Sequence, residues 1–354
     1  MLIYWSTLTA VVFMEWLSLK AKSKSRASSL VFTAIATVIM ILVTGLRVGV
    51  GTDYYMYQDI YFWSASGMQG SIEIGYYLLS RLCYAILPNF HFFLLVLSTL
   101  YCVITRCAIE KLSPDPVMSV FLLIAAGYFF AYMNMMRQML AAAILLYSLV
   151  YVRDSKLLRF TLCVFLACMI HTTSFVFYFV YFVRKLSNKG IVVFLTLFAI
   201  CVASGVADAL FQNVVGNFSK YEGYYDSAFN NGRVAYVAIA VDLSVLIFAA
   251  LLCNKFPLSD SIMRTLLVVE VLSLMMALAT GFVPLADRLR RYFSISMIVF
   301  IPRLLALIED EKLKFALTWI IVIAFLVYMQ ITISVLGHYG VLVDFRSQPN
   351  TLSK

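Results

Sequence analysis

The chain alternates long apolar segments with short polar loops. A helix needs roughly 20 mostly apolar residues to cross a bilayer, where its backbone groups bond to one another. The pattern therefore predicts an all-α, polytopic integral membrane protein of about 12 transmembrane helices. These are residues 2–19, 30–46, 90–109, 117–133, 138–152, 158–170, 172–183, 190–210, 234–252, 262–283, 291–308 and 315–336.

Some apolar segments are shorter than a full span. The three segments between residues 138 and 183 either extend through their polar flanks or are short helices around a water-filled cavity. Residues 73–87 combine apolar positions with Glu73 and Arg81, which predicts a short helix lying on the outer leaflet or dipping into it. The main polar loops predicted outside are 47–89 and 211–233.

Charge sets the orientation. The first apolar segment has no basic residue before it, and Lys20, Lys22, Lys24 and Arg26 follow it. Basic residues hold a loop in the cytoplasm, so the N-terminus is predicted outside and this segment is not a cleaved signal peptide. Counting onward, the C-terminus is also outside. Most Lys and Arg then fall on the inner side, and the outer remainder is mostly arginine, which suits bidentate phosphate contact.

Composition agrees with a membrane protein. Hydrophobic residues make up 63% of the 354 residues and charged residues 13%, whereas a soluble domain has about 25% charged. The net charge of +9 comes from scattered basic residues without a nucleic-acid-binding motif, so no nucleic-acid partner is predicted. Seven cysteines without a CxxC pair are interpreted as apolar packing residues. No compositional break divides the chain, which predicts one domain over 1–354.

The most specific local feature is the loop at residues 45–61, GLRVGVGTDYYMYQDIY. Its glycines permit tight turns and close approach of the backbone to a ligand. Arg47 supplies several donors, and Asp53 supplies a carboxylate beside Tyr54 and Tyr55. Clustered tyrosines beside polar groups are typical of sugar-stacking surfaces and equally of the aromatic belt at a membrane interface.

A second polar feature opens the apolar segment after residue 136. The spacing of Asn134, Arg137 and Gln138 puts them on one helix face. A polar face at membrane depth indicates a cavity or a ligand, although a lone arginine at a helix end is more often an interfacial anchor.

Two further motifs are predicted outside. His171 stands between two apolar segments beside Thr172, Thr173 and Ser174, and is either a buried histidine satisfied by a carbonyl or a proton acceptor.

The other motif is PLADRLRRYF, residues 284–293, which begins a helix. Arg288 and Arg291 lie one turn apart there and can share an anion near the helix N-terminus, with interfacial anchoring as the alternative. Asp242 and Glu270 lie in apolar segments and need partners that the sequence does not identify.

Taken together, these motifs resemble the EpsG family of bacterial polysaccharide polymerases, which are related in role to the O-antigen polymerases called Wzy. The matching residues are Gly45-Leu46-Arg47, Gly51-Thr52-Asp53-Tyr54, Glu73 with Gly75-Tyr76, Met136-Arg137-Gln138 with Ala141, His171-Thr172-Thr173-Ser174, and Arg288 with Tyr292-Phe293.

The resemblance implies a GT-C-like glycosyltransferase of the bacterial inner membrane, with its active site facing the periplasm or exterior. It would transfer a growing glycan from undecaprenyl diphosphate to the non-reducing end of a repeat unit on a second undecaprenyl diphosphate. A chain-length regulator and a flippase are possible partners. No nucleotide-binding motif is present, and neither a cofactor nor a metal is predicted.

Roles for the candidate residues follow from the leaving group. Arginines placed in advance best stabilise a departing diphosphate, and an acceptor hydroxyl needs a proton acceptor. The predicted diphosphate ligands are Arg47, Arg137, Arg288 and Arg291; the predicted base is His171 or Asp53; and the predicted sugar contacts are Tyr54, Tyr55, Asn134 and Gln138. The rival functions are a flippase for lipid-linked sugars, which would need arginines along a path to both faces, and a ligase that attaches finished glycan to a lipid core.

Overall fold

The computed structural model describes residues 2–70, 72–183, 190, 193, 235–255, 261–281 and 286–336. All regular structure in this part of the chain is helical, as predicted. The chain forms two compact units. The first contains Met1–Ala143, Met169–His171 and Ile308–Lys354, and the second contains Ile144–Cys168 and Thr172–Leu307.

The first unit begins with a helical hairpin and contains most of the polar residues discussed below. Its helices are α1 (Leu2–Lys22), α2 (Arg26–Gly45), α3 (Tyr54–Ala65), α4 (Ile74–Ile86), α5 (Phe90–Leu112), α6 (Pro116–Ala125), α7 (Tyr128–Asn134), the start of α8 (Met136–Arg153) and, near the end of the chain, α15 (Glu311–Ile331). The exposed side chains of α1, α2 and α15 are largely apolar, as expected of surfaces that face lipid.

The second unit consists of shorter helices. They are the rest of α8, α9 (Leu157–Ile170), a 3-10 helix (Thr172–Phe179), α10 (Val180–Val183), α11 (Tyr236–Leu252), α12 (Ser261–Ala279), α13 (Ala286–Ser294) and α14 (Met297–Ala306). Residues 169–171, the last two of α9 and the residue after it, group with the first unit.

A polar network joins the ends of α1, α2 and α5 that were predicted to face the cytoplasm. Arg106 of α5 lies 2.7 Å from the Glu15 carboxylate of α1 and donates to Thr33 of α2. Ser18 of α1 bonds with Thr33 at 2.8 Å. The C-terminal ends of α1 and α5 therefore meet the N-terminal end of α2, as the alternating directions of these three segments require.

The structure corrects three details of the predicted segments. The outer loop 47–72 contains a helix, α3, because its tyrosines and Ile60 pack inward. Segment 117–133 is broken at Gly127, whose φ of +88° ends α6, and α7 continues at 45° to it. Segment 172–183 begins as a 3-10 helix rather than an α-helix.

Other predicted elements are confirmed. The short helix at 73–87 is α4, and Arg137 lies in the first turn of α8. A helix begins just before Arg288, although it ends at Ser294 and a separate helix, α14, follows.

The predicted shared face of Asn134, Arg137 and Gln138 does not form on one helix, because the chain leaves helical geometry at Met135 between α7 and α8.

Five of the described helices are long and apolar enough to cross a membrane, or six if the bent pair α6–α7 is one span. The helices α9, the 3-10 helix with α10, and α11 are shorter apolar segments. A multi-pass membrane protein is therefore supported, whereas the total of twelve spans is not confirmed. The second outer loop, 211–233, lies outside the described residues.

Candidate active site

Arg47 is buried where the chain leaves α2. Only 5% of the residue is exposed, and its Nη atoms donate to the carbonyls of Thr44 at 3.1 Å and Met133 at 3.0 Å. No carboxylate pairs with it among the described residues; the electrostatic partners of its guanidinium are tyrosine hydroxyls. Burial lowers the pKa of Arg47, and the neighbouring tyrosines oppose that shift. Burying a cation without a counter-ion is costly, and Arg47 has none among the described residues.

The glycine loop after Arg47 is fixed by Asn134. The backbone N–H of Thr52 donates to Asn134 Oδ1 at 3.0 Å. Gly51 has a φ of +107°, and a Cβ at this position would lie 2.7 Å from the same oxygen. Glycine is therefore required here for both conformation and space. Asn134 was predicted to contact sugar, and its Oδ1 accepts a hydrogen bond from this loop.

Arg137 is held between a carboxylate and two aromatic rings. Its Nη1 lies 2.5 Å from Oε2 of Glu73, a side chain only 4% exposed. The guanidinium carbon lies 5.9 Å from the ring centre of Tyr57 and 5.6 Å from that of Tyr76, within cation–π range. Helices α3, α4 and α8 each contribute to this arrangement.

Tyr57 and Tyr76 also interact electrostatically with Arg47, so the two guanidinium groups share the same two phenols. We call Arg47, Tyr57, Tyr76 and Arg137 the arginine–tyrosine cluster. Burial raises the pKa of both tyrosines, and the arginines only partly offset it, so both hydroxyls stay protonated at neutral pH. Within the described part of the chain, three buried donors here have no partner: the Tyr76 hydroxyl and the Nε atoms of both arginines. The cluster thus combines positive charge with unused donors.

The backbone leading to His171 approaches the same end of α4. A Cβ on Gly75 would lie 2.7 Å from the Met169 carbonyl oxygen, so α4 packs tightly on the end of α9. His171 follows two residues later and is partly buried. Gly75 lies two positions after Glu73, so motifs distant in sequence meet within the first unit.

The other predicted site residues of the first unit differ in exposure. Asp53 occupies the position before α3, accepts a bond from the Thr52 hydroxyl at 3.1 Å and interacts electrostatically with Tyr57. Tyr54 is 2% exposed and packs edge-on against neighbouring rings, whereas Tyr55 is 52% exposed. Gln138 is also buried. Of the two tyrosines, Tyr55 has the surface available for a ligand.

In the second unit, α13 is tied to its neighbours by Arg290. This arginine binds both Asp242 oxygens of α11, at 2.9 and 2.5 Å, and the Ser273 hydroxyl of α12 donates to Asp242 at 2.7 Å. Asp242 was expected to need a partner because it lies in an apolar segment, but its sequence position does not identify Arg290. Arg290 is therefore committed to a structural pair, while Arg288 and Arg291 of the same helix are the predicted ligands. Arg291 contacts Asp287 at 3.3 Å.

The histidine–threonine motif and the end of α13 also meet in the second unit. The hydroxyl groups of Thr173 and Tyr292 lie 2.8 Å apart, and the rings of Phe177 and Phe293 stack at 5.7 Å. Each compact unit therefore brings together motifs that are far apart in sequence. Arg47 and Arg137 belong to the first unit and Arg288 and Arg291 to the second, so one site containing all four arginines stays a prediction.

A comparison with known protein families supplies the remaining observation. The model of the EpsG family matches residues 30–343, which is most of the chain and includes every motif above. The chain belongs to the EpsG family. No curated protein and no solved structure matches it.

EpsG proteins are polysaccharide polymerase-like membrane proteins, which agrees with the helical, apolar fold. The resemblance to the EpsG family, which the sequence motifs indicated, is therefore confirmed. Among the described residues, no group of three or more His, Cys, Asp or Glu side chains is arranged to hold a metal ion.

Proposed function

We propose that this EpsG-family chain is a polysaccharide polymerase acting on the outer face of the bacterial inner membrane. It transfers a growing glycan from undecaprenyl diphosphate to the non-reducing end of a repeat unit on another undecaprenyl diphosphate. Family membership supports polymerase-like activity, and the lipid-diphosphate donor is our inference from the arginine–tyrosine cluster.

The observation that carries this proposal is the buried charge of Arg47, which has no carboxylate partner among the described residues. A protein avoids burying a cation alone, because desolvating it costs several kcal/mol. A diphosphate would supply a negative counter-charge to Arg47 and accept bonds from the unused donors of Arg47, Tyr76 and Arg137.

The same groups would assist the reaction. Negative charge grows on the diphosphate as the glycosidic bond breaks, and donors already in position stabilise it without reorganising. Because Tyr57 and Tyr76 keep their protons, they can donate to that oxygen as well. Arg288 and Arg291 are the other diphosphate ligands predicted from the sequence. His171 and Asp53 are the proton acceptors predicted from the sequence.

The test is reconstitution. Purified protein in nanodiscs is incubated with a lipid-diphosphate-linked repeat unit, and products are separated by size. A ladder of increasing repeat number supports a polymerase. Release of free repeat unit without longer products, or no reaction by folded protein, contradicts the proposal. Transfer to a lipid A-type core without a ladder would indicate a ligase, and movement of the intact lipid across liposomes would indicate a flippase.

A further inference from the structure

Helix α3 has one face packed on its neighbours and another that is open. On the packed face, the ring of Tyr57 lies 6.4 Å from that of Tyr76 of α4, and the ring of Tyr61 stacks on Phe93 of α5. The open face carries large apolar and aromatic side chains, each 44% to 54% exposed: Tyr55, Met56, Phe62 and Trp63. The helix that supplies Tyr57 to the arginine–tyrosine cluster therefore also presents an aromatic surface.

An acidic residue lies at the centre of this surface. Asp59 is exposed, and the four large side chains precede or follow it by three or four positions. Residues at these spacings are neighbours on a helix, so all four adjoin the carboxylate. We call Asp59 and these four side chains the α3 platform.

Lipid is a poor partner for the α3 platform. The exposed positions of α1 (Leu2–Lys22) and α2 (Arg26–Gly45), which are expected to face lipid, include no acidic residue. Immersing the α3 platform in hydrocarbon would immerse Asp59 with it, and an ionised carboxylate there is costly. A carboxylate among exposed rings instead indicates a ligand that has both apolar faces and hydrogen-bond donors.

A glycan has both properties. The C–H groups on the face of a sugar ring are apolar and pack on aromatic rings, while its hydroxyls donate most strongly to an ionised carboxylate. Tyr55, Asp59 and Trp63 follow one another at intervals of four residues and extend over about 12 Å along the helix axis. That length suits a short oligosaccharide rather than a single sugar ring.

The α3 platform also adjoins the loop that contains Arg47. The Tyr55 hydroxyl lies against this loop, because a Cβ on Gly49 would be 3.1 Å from it. Tyr54 links the two regions: it interacts electrostatically with Arg47, and its ring lies 5.2 Å from that of Tyr55. A donor glycan is bonded directly to its diphosphate. A diphosphate at the arginine–tyrosine cluster would therefore place the first sugars close to Tyr55.

We propose that the α3 platform binds the part of the donor glycan next to the diphosphate; this deepens the function proposed above and rests on it. Tyr55 and Trp63 pack against sugar rings, and Asp59 accepts bonds from sugar hydroxyls. The arginine–tyrosine cluster binds the diphosphate with or without sugar, whereas the α3 platform contacts the glycan alone. After transfer, the spent lipid keeps only its diphosphate contacts, so a glycan-bearing lipid replaces it.

The test compares two probes on the full-length protein in nanodiscs. One is undecaprenyl diphosphate, and the other is the same lipid bearing the repeat unit, extracted from cells that lack this chain. Binding is followed by the rise in melting temperature with probe concentration. The wild type should bind the glycan-bearing probe more tightly. Trp63→Ala and Asp59→Asn should each weaken that binding by about tenfold and leave binding of undecaprenyl diphosphate unchanged.

Trp319→Ala is the matched control, because Trp319 of α15 is 53% exposed on a helix of the same unit that is expected to face lipid. It should bind both probes as the wild type does. Trp63→Phe, which keeps an aromatic ring, should retain most of the affinity for the glycan-bearing probe. Equal behaviour of Trp63→Ala and Trp319→Ala would indicate that the open face of α3 is a membrane anchor and would overturn the proposal, as would equal weakening of both probes by Trp63→Ala.

The wild type separates this proposal from the function on which it rests. If it forms a product ladder but binds the two probes equally, only the α3 platform is refuted. If it binds neither probe and forms no ladder, the proposed function itself is refuted.

Discussion

Replacing Arg47 by methionine tests whether this residue serves stability or the reaction. The guanidinium donates to two carbonyl groups, of Thr44 and Met133, and a bond to a charged group contributes about 1.5–3 kcal/mol. Removing the side chain loses these bonds but also removes the cost of burying an unpaired cation, which is several kcal/mol. The two terms largely cancel. We expect the variant to unfold only about 1–3 kcal/mol more easily than the wild type.

Activity should respond far more strongly. Removing one donor that stabilises a developing anion typically costs about 10²–10³-fold in rate. Arg47→Met should therefore yield single repeat units with almost no ladder while remaining folded. Arg47→Lys keeps the charge but loses the planar fork of donors, and should recover only part of the rate.

The assay is the product ladder of purified protein, normalised to folded protein from a thermal melt. The control is the double variant Glu15→Gln/Arg106→Met, which removes another, partly buried arginine and the carboxylate of its partner near the C-terminal end of α5. It should retain its ladder. The reasoning is refuted if Arg47→Met still makes long polymer, or if its activity falls only in proportion to the loss of folded protein.

Three further predictions concern packing, buried charge and topology. Gly75→Ala should lower both thermal stability and transfer, because its Cβ would lie 2.7 Å from the Met169 carbonyl oxygen; normal values for both would contradict this contact. Asp242→Leu should destabilise the protein by about 3–5 kcal/mol, because it removes the carboxylate that Arg290 contacts through both oxygens. Glu270→Leu should be neutral or stabilising in a thermal melt, because both Glu270 oxygens are buried without a hydrogen-bond partner in the described structure. Equal losses in the two variants would contradict the assigned pairing. Ser66→Cys should react with a membrane-impermeant thiol reagent added from outside the inner membrane, and reaction only from the cytoplasmic side would reverse the topology.

The resemblance to the EpsG family was recognised from the motifs because each combines residue types that a lipid-facing helix does not need. Each motif places a charged or ionisable side chain near lipid, where it is costly. These side chains are Arg47 beside glycines, Arg137 beside Gln138, and His171 beside Thr172. The motifs and their order are visible in the sequence alone, and the match to the EpsG family model confirmed the resemblance.

Local sequence also predicted most helices correctly. The apolar segments at 2–19, 30–46 and 90–109 correspond to α1, α2 and α5, and the amphipathic stretch at 73–87 is α4. Helix formation at membrane depth depends on a run of apolar residues and on its length, both of which are visible in the sequence. The break at Gly127 and the 3-10 helix after His171 were not predicted, because they depend on how neighbouring helices satisfy the freed backbone groups.

The sequence by itself determined that this chain is a helical membrane protein with arginines at the ends of apolar segments. Only the tertiary structure decided which charges are paired. Glu73 joins Arg137, Asp242 joins Arg290, and Arg47 is buried without a carboxylate partner in the described structure. Span length and charge bias are read from neighbouring residues, whereas a pair between residues 48 or 64 positions apart exists only because packed helices bring them within hydrogen-bond distance.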